Sequence, residues 1–343
     1  MPSFPLFNWF RTSGASTGCR TGLSTRASLD EAVKDVADQI GQRSGSADLA
    51  LVFVSTGYAS DFPRLMPMLR SRIKAKHWIG CAGGGVIGTR SDGTASEMEK
   101  SPALSVSLLK LPGVEIETRS LSTAQLPDLD GAAQNWQDWV GIPPTQSRSQ
   151  IVLIDPTSSG INDLISGLDY AYPSTDKLGG IAAPHNNSHG SLFFDDQVTS
   201  GAVVCSIGGD WCLDPVVAQG CRPIGPVFSI EQVQRNVLLE LSDGSNKASP
   251  VSCLQRVLAD LSDAERDLVR HSLFLGVERS NLQVSADGAP SEDSAFLVRN
   301  LIGVDPSNGA VAVAERVRAG QNVQFHLREA SASRDEAHAL LKA

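Results

Sequence analysis

A long-period duplication constrains the fold of this chain more than any other feature of the sequence. The apolar run LALVFVSTGY at 49–58 recurs as QIVLIDPTSSG at 150–160. Each run is followed, in the same order, by a helical segment, a glycine-rich strand start and a further apolar strand. These later pairs are 61–75 with 161–171, 78–88 with 178–184, and 103–109 with 202–209. Residues 48–212 are therefore predicted to form two copies of a strand–helix–strand–strand unit.

The apolar runs also indicate the fold class. Short runs rich in Val, Ile and Leu are typical of strands buried on both faces, and amphipathic helices would cover them. Pro63 and Pro67 would limit the first of these helices, so we expect it to begin near Leu65. The duplicated half is therefore predicted to be an α/β structure.

A change of composition predicts a second domain. Residues 213–226 contain three prolines and two glycines, which favours a linker. Beyond it, apolar runs separated by turn residues predict antiparallel hairpins, one of them turned at 306–309. The second half is thus expected to be a mixed, largely antiparallel sheet with helices, which makes the whole chain mixed α+β. The predicted division is 1–47 as leader and first helix, 48–215 as the duplicated domain, and 216–343 as the second domain.

The charge of the chain is negative but unevenly distributed. Lys and Arg number 29 and Asp and Glu number 38, a formal charge of −9, which disfavours nucleic-acid binding. No apolar run is long enough to span a bilayer, so a soluble protein is expected. Residues 1–29 contain Arg11, Arg20 and Arg26 but no acid. This is typical of a chloroplast or mitochondrial transit peptide, and also of a plain disordered start. The expected location is intracellular, and cytoplasmic without a transit peptide.

The order of the motifs resembles the FIST family, the F-box and intracellular signal-transduction sensory domains. IGCAGGGVIG at 79–88, GGIAAP at 179–184 and the run from LFFDD to SIGGD at 192–210 are similar to its N-terminal half. CRPIGPVFSI at 221–230 and the run from AFLVRN to HLREA at 295–330 are similar to its C-terminal half. The resemblance implies a sensory module for small ligands such as amino acids, in a stand-alone form without an F-box, kinase or transmembrane part.

Glycine turns and a histidine loop are the first candidate site residues. Gly83 and Gly84 lie in the most glycine-dense segment, and Gly180 lies in its counterpart. No helix is predicted after Gly83 and Gly84, so a tight strand start is favoured over a nucleotide cradle. His185, Asn186 and His189 lie in the segment PHNNSHG, which predicts a loop. That loop is compatible with ligand contact or with a plain exposed turn, and less so with zinc.

Two arginines complete the candidate site. Arg299 interrupts an apolar run, and a buried arginine needs an anionic partner. That partner is either a ligand carboxylate or a structural acid such as Asp305 or Glu315, unless Arg299 faces solvent. Arg222 follows Cys221, the best candidate for a reactive thiol, although a structural cysteine is favoured there.

The sequence leads to a non-catalytic sensor of a small, amino-acid-like or otherwise anionic metabolite. Its pocket would be lined by the two histidines, Asn186, the three glycines and the two arginines. No metal or cofactor is expected, and a signalling protein is the expected downstream partner. The alternatives are an adaptor or scaffold in a signalling or ubiquitin-ligase-like complex, presenting Trp136 and Trp139, and an enzyme of unknown type. No cluster of catalytic residues favours the enzyme.

Overall fold

The computed structural model describes residues 17–41, 46–216, 218–278 and 296–342. The chain divides into two compact units, Met1–Pro215 and Val216–Ala343. Within the described residues, no helix is long and apolar enough to cross a membrane. Residues 1–16, which hold much of the acid-free leader, lie outside the part of the chain that the structure describes.

The first unit combines helices with strands. Its helices are α1 (Leu29–Ile40), α2 (Phe62–Arg72), α3 (Ala133–Val140) and α4 (Ile161–Ala171), with short 3₁₀ turns at Thr56–Asp61 and Pro144–Gln146. Its strands are β1 (Gly18–Ser24), β2 (Ala47–Ser55), β3 (Ala75–Gly83), β4 (Gly85–Thr89), β5 (Ala95–Glu99), β6 (Leu104–Lys110), β7 (Val114–Leu121), β8 (Ser149–Ile154), β9 (Asp176–Ile181), β10 (Leu192–Phe194), β11 (Gln197–Thr199) and β12 (Ala202–Gly209).

Two sheets form the centre of the first unit. The first sheet has the strand order β1-β6-β2-β3-β10-β11 and the second has the order β7-β12-β8-β9, while β4 pairs with β5. In the first sheet, β2 is parallel to β3 and antiparallel to β6, and β6 is antiparallel to β1. In the second sheet, β8, β9, β12 and β7 are related in the same way. The predicted duplication is confirmed, and the first copy also includes β1, which precedes its predicted start.

The central strands of both sheets are buried on two faces, as the sequence predicted. In β2, Val52 packs with the helices α1 and α2, whereas Leu49 faces the second sheet. In β12, Val204 packs with α3 and α4, whereas Val203 faces the first sheet. Helices therefore cover the outer face of each sheet, and an apolar layer lies between the two sheets.

β1 and α1 come from the segment interpreted above as leader and first helix. β1 pairs with β6 along its whole length, from Gly18 opposite Lys110 to Ser24 opposite Leu104. α1 begins after Ser28, whose side chain accepts a hydrogen bond from the backbone of Glu31. Residues 18–40 are thus part of the first unit. The transit peptide and the location of the protein stay predictions.

The helix α2 begins earlier than the sequence predicted. It starts at Phe62, with Pro63 in its first turn and Pro67 inside it. Proline at position 67 removes one backbone hydrogen bond of the helix. The side chains of Phe62, Leu65 and Leu69 are fully buried against the first sheet. This packing offsets the lost hydrogen bond, so the expected start near Leu65 is wrong.

The second unit is a closed antiparallel sheet with helices. The elements are β13 (Cys221–Gln234), β14 (Val237–Ser242), β15 (Lys247–Ala248), β16 (Leu273–Glu278), β17 (Phe296–Asp305), β18 (Ala310–Val313), β19 (Asn322–Arg328), α5 (Pro250–Ala259), α6 (Asp263–Ser272) and α7 (Ala330–Leu340). The strand order is β13-β19-β16-β17-β18-β14-β15, and β14 also pairs with β13. All pairings among its described strands are antiparallel, whereas the sequence predicted a mixed, largely antiparallel sheet. The loop predicted at 285–293 lies outside the described residues.

Two glycines occupy equivalent positions in the two copies of the first unit. Gly80 lies opposite Val52 in the β2–β3 pair, and Gly179 lies opposite Val152 in the β8–β9 pair. A Cβ atom at Gly80 would lie 1.9 Å from the Val52 carbonyl oxygen, and one at Gly179 would lie 1.8 Å from that of Val152. The parallel strands approach so closely here that only glycine fits.

We expect the variant Gly80→Ala to lower the free energy of unfolding by about 3 kcal/mol, because the added methyl group overlaps backbone that cannot move aside. Urea unfolding followed by circular dichroism measures the change. Gly180→Ala is the control, since a Cβ there meets nothing within 4 Å. Equal stabilities of the two variants would contradict the close approach.

Candidate functional site

In the first unit, hydrogen bonds hold together the loops that follow β2, β3, β8 and β9. The Ala183 N–H donates to the carbonyl of Ala82 over 2.8 Å, and the Ala82 N–H donates to the carbonyl of Ser191, also over 2.8 Å. The Ala182 N–H donates to the carbonyl of Ile154 over 2.9 Å. The segment after β9 is therefore tied to the ends of both β3 and β8. We name residues 55–61, 83–85, 155–160 and 182–191 the strand-end loops.

Asp155 anchors these loops from the end of β8. Its side chain is buried, with 1% of the residue exposed. One carboxylate oxygen accepts the Ser191 N–H at 2.7 Å. The other accepts the N–H and the hydroxyl of Thr157 at 2.9 and 2.6 Å. Burial alone would raise the pKa of Asp155, but these hydrogen bonds outweigh it and hold the pKa below its ordinary value. The ionised carboxylate thus fixes the loop that carries the histidines.

The first copy has serine where the second has Asp155. The Ser55 N–H donates to the carbonyl of Ala103, and the Asp155 N–H donates to the carbonyl of Gly201, both over 2.8 Å. The two residues are therefore equivalent in the backbone. The Ser55 hydroxyl accepts the Ala103 N–H at 2.9 Å and so stays within its own copy. Asp155 was not among the candidate residues predicted from the sequence, although alignment of the two repeats marks it as the place where a carboxylate replaces a hydroxyl.

His185 and His189 pack together and against Phe62, the first residue of α2. Their ring centroids lie 4.8 Å apart, and they lie 5.3 and 5.6 Å from the Phe62 ring. His189 Nε2 lies 2.8 Å from the carbonyl oxygen of Ala59, in the turn that follows β2. His185 Nδ1 accepts the Asn187 N–H at 3.2 Å, while its Nε2 lies 3.3 Å from the Gly190 carbonyl oxygen. Both imidazoles therefore hold the loop in place through backbone contacts.

The other first-unit candidates lie beside this loop. Asn186 and Gly84 are exposed, and so is Gly180 on β9. A Cβ atom at Gly84 or Gly180 would meet nothing within 4 Å, whereas one at Gly83 would lie 2.6 Å from the Gly85 carbonyl oxygen. The strand β4 follows Gly84, so a helix N-terminus that could cradle phosphate does not follow these glycines. The loops thus bring Gly83 and Gly84 close to the segment that carries His185, Asn186 and His189. Gly180 lies on β9, two residues before that segment begins at Ala182.

The two candidate arginines lie in the second unit and have carboxylate partners there. Arg222 pairs with Glu265 and, over 2.9 Å, with Glu329. The hydrogen bonds that Arg222 donates to the carboxylates of Glu329 and Glu265 raise its pKa. Arg299 pairs with Glu315, one of the two acids that the sequence offered as structural partners. The Arg299 side chain is 34% exposed, so it is less buried than its apolar neighbours in the sequence suggested.

Other candidates from the sequence have structural surroundings. Trp136 is fully buried, and its ring meets that of Trp139 edge-on at a centroid distance of 5.6 Å. Trp136 is therefore part of the core and not of an exposed patch. Burial raises the pKa of Cys81 to about 11 and that of Cys205 to about 12, so both are thiols at neutral pH. Among the described residues, no group of three or more His, Cys, Asp or Glu is placed to hold a metal ion.

We expect Asp155→Asn to lower the free energy of unfolding by about 2 kcal/mol at pH 7, since an amide cannot accept all three hydrogen bonds. The folded pKa is depressed, so the carboxylate stabilises the fold above the pKa of unfolded aspartate, about 4, and ceases to do so as the pH falls through the folded value. The difference in the free energy of unfolding between wild type and variant should therefore become smaller below pH 4. Urea titrations at several pH values measure it. Asp130→Asn, at an exposed position, is the control. A stability difference between wild type and Asp155→Asn that does not depend on pH would contradict the role given to the Asp155 carboxylate.

Family models match most of the chain. The model described as the FIST N domain matches residues 48–244, and that described as the FIST C domain matches residues 250–343. The strands β13 and β14 therefore fall within the FIST N match although they belong to the second structural unit.

Relatives from mycobacteria match along nearly the same length. The chain is 27% identical over 319 residues to the uncharacterized protein Rv0628c of Mycobacterium tuberculosis strain H37Rv. The match covers 92% of this chain and 77% of the relative. It is also 27% identical over 316 residues to the uncharacterized protein Mb0898c of Mycobacterium bovis, with 92% and 76% covered. FIST domains are sensory domains of signal transduction. Because the two domain matches follow one another and together cover most of the sequence, the chain belongs to the FIST family, as the resemblance predicted.

Proposed function

We propose that this protein senses a small molecule and that the strand-end loops of the first unit bind it. The observation that carries the proposal is the convergence of four loops, from both copies, at the carboxyl ends of two parallel strand pairs. Ligands of open α/β sheets characteristically bind at such ends, because helices and turns there present free backbone groups. Membership of a sensory family supports the same reading of the site.

The chemistry of the strand-end loops favours a ligand that is held by hydrogen bonds. Their exposed side chains include Thr157, Ser159 and Asn186, and the loops contain no lysine or arginine. An amino acid or another carboxylate would therefore be bound through backbone N–H groups, including those at the start of α4, where no side chain caps the helix after Gly160. In this proposal the arginines of the second unit keep their structural partners and do not contact the ligand.

Binding can be tested by thermal shift against separate panels of amino acids and organic acids at millimolar concentration. We expect at least one compound to raise the Tm of the wild type by several degrees, since a ligand that binds only the folded state stabilises it. The variant Gly84→Val should abolish the shift, because its side chain would occupy the open space beside the loop.

Two control variants test where on the protein the ligand binds. Gly18→Val adds the same side chain at the start of β1, where a Cβ also meets nothing within 4 Å, and should leave the shift unchanged. Arg299→Ala should leave it unchanged as well. Loss of the shift with Arg299→Ala but not with Gly84→Val would move the site to the second unit. The absence of any hit would count against sensing of these compounds.

A further inference from the structure

The two copies of the first unit differ at one edge of their sheets. In the first sheet, β10 covers the outer edge of β3 with antiparallel pairing, and Phe193 lies opposite Gly80. The equivalent strand of the second sheet is β9, in which Gly179 corresponds to Gly80. Among the described residues, β9 has a strand partner only on its β8 side. One copy thus has a covered edge where the other has an open one.

The open edge presents a regular set of backbone groups. The Ala182 N–H donates to the carbonyl of Ile154 in β8. Backbone groups alternate in direction along a strand, so those of Leu178 and Gly180 also face β8. The N–H and C=O groups of Lys177, Gly179 and Ile181 therefore point away from the sheet, where a further strand would pair.

β9 has few of the features that protect other edges from pairing, and its one acid, the exposed Asp176, is the first residue of the strand. Its one cation, Lys177, turns back onto its own unit, with Nζ 2.7 Å from the Tyr172 carbonyl oxygen and 3.2 Å from the Asp169 carboxylate. Two of its apolar side chains are instead open to solvent, with Ile181 58% and Leu178 37% exposed. The edge strand β7 of the same sheet contrasts with it, because β7 carries Glu115, Glu117 and Arg119.

β9 of one copy of the chain is also complementary to β9 of a second copy. In an antiparallel pair of two β9 strands centred on Gly179, Lys177 of one copy lies opposite Ile181 of the other, so the outward-facing groups meet in register. In the same pair, Leu178 lies opposite Gly180 on one face of the sheet. A Cβ at Gly180 would meet nothing within 4 Å, so the protruding leucine finds open space, and the two-fold axis repeats this fit. A strand from an unrelated partner would not require such symmetry.

We propose that β9 is a self-association surface, through which two copies of this chain pair antiparallel about Gly179. The second sheets of the two copies then form one continuous sheet across the two-fold axis. The contact comprises about six backbone hydrogen bonds and the side chains of Leu178 and Ile181, an area well below the roughly 1,200 Å² of a stable interface. The dimer is therefore weak and forms with rising protein concentration.

Sedimentation velocity of the full chain at about 5 and about 200 µM tests the pairing, because a weak dimer populates only at the higher concentration. We expect the weight-average sedimentation coefficient to rise with concentration for the wild type. The variants Leu178→Lys and Ile181→Lys should remain monomeric, since a charge on the edge opposes pairing. Ile87→Lys is the matched control, an isoleucine 68% exposed on β4, and should dimerise like the wild type. Circular dichroism confirms that each variant is folded.

Hydrogen exchange resolves the register. At the higher concentration the amides of Lys177, Gly179 and Ile181 should exchange more slowly, whereas those of Leu178 and Gly180, already bonded to β8, should not change. A monomer at both concentrations would overturn the proposal. So would a dimer that persists in both lysine variants, or one in which the β9 amides show no added protection, since another surface would then be responsible.

Discussion

The apolar layer between the two sheets is the contact on which the rest of the first unit depends. Leu49 and Ile79 of the first sheet pack there against Val203 and Ile207 of the second. Because both sheets also carry helices on their outer faces, their central strands are buried on two sides and cannot slip without exposing apolar side chains. This layer fixes one copy of the repeat against the other, and it thereby brings the ends of β3 and β8 close enough for one loop to bridge them.

Both proposals rest on places where the two copies of the first unit differ. At the end of β2, Ser55 makes a local hydrogen bond, whereas Asp155 at the end of β8 reaches across to Ser191. The hairpins that follow the third strand of each copy differ as well. β10 and β11 extend the first sheet, while β4 and β5 pair with each other. These departures from symmetry create both the histidine loop and the open edge of β9.

Much of the fold could be predicted because its signals are local. Apolar runs and their order predicted the duplication, and turn residues predicted the hairpin of β17 and β18. The strand β1 was missed since GCRTGLS has no apolar run, and it is recognisable only from its pairing with β6. The apolar run around Arg299 left open whether its side chain is buried or faces solvent, because such a run does not show which face of the strand an arginine occupies.

The sequence by itself determined most of the segments that become strands and helices, and that the first unit is duplicated. Only the tertiary structure decided that β10 pairs with β3 of the other copy, that Asp155 holds Ser191, and that Arg222 and Arg299 already have carboxylate partners. The physical reason is the range of the interactions. Propensity and periodicity act within a few residues, whereas these contacts join segments far apart in the chain and form only when the sheets have packed.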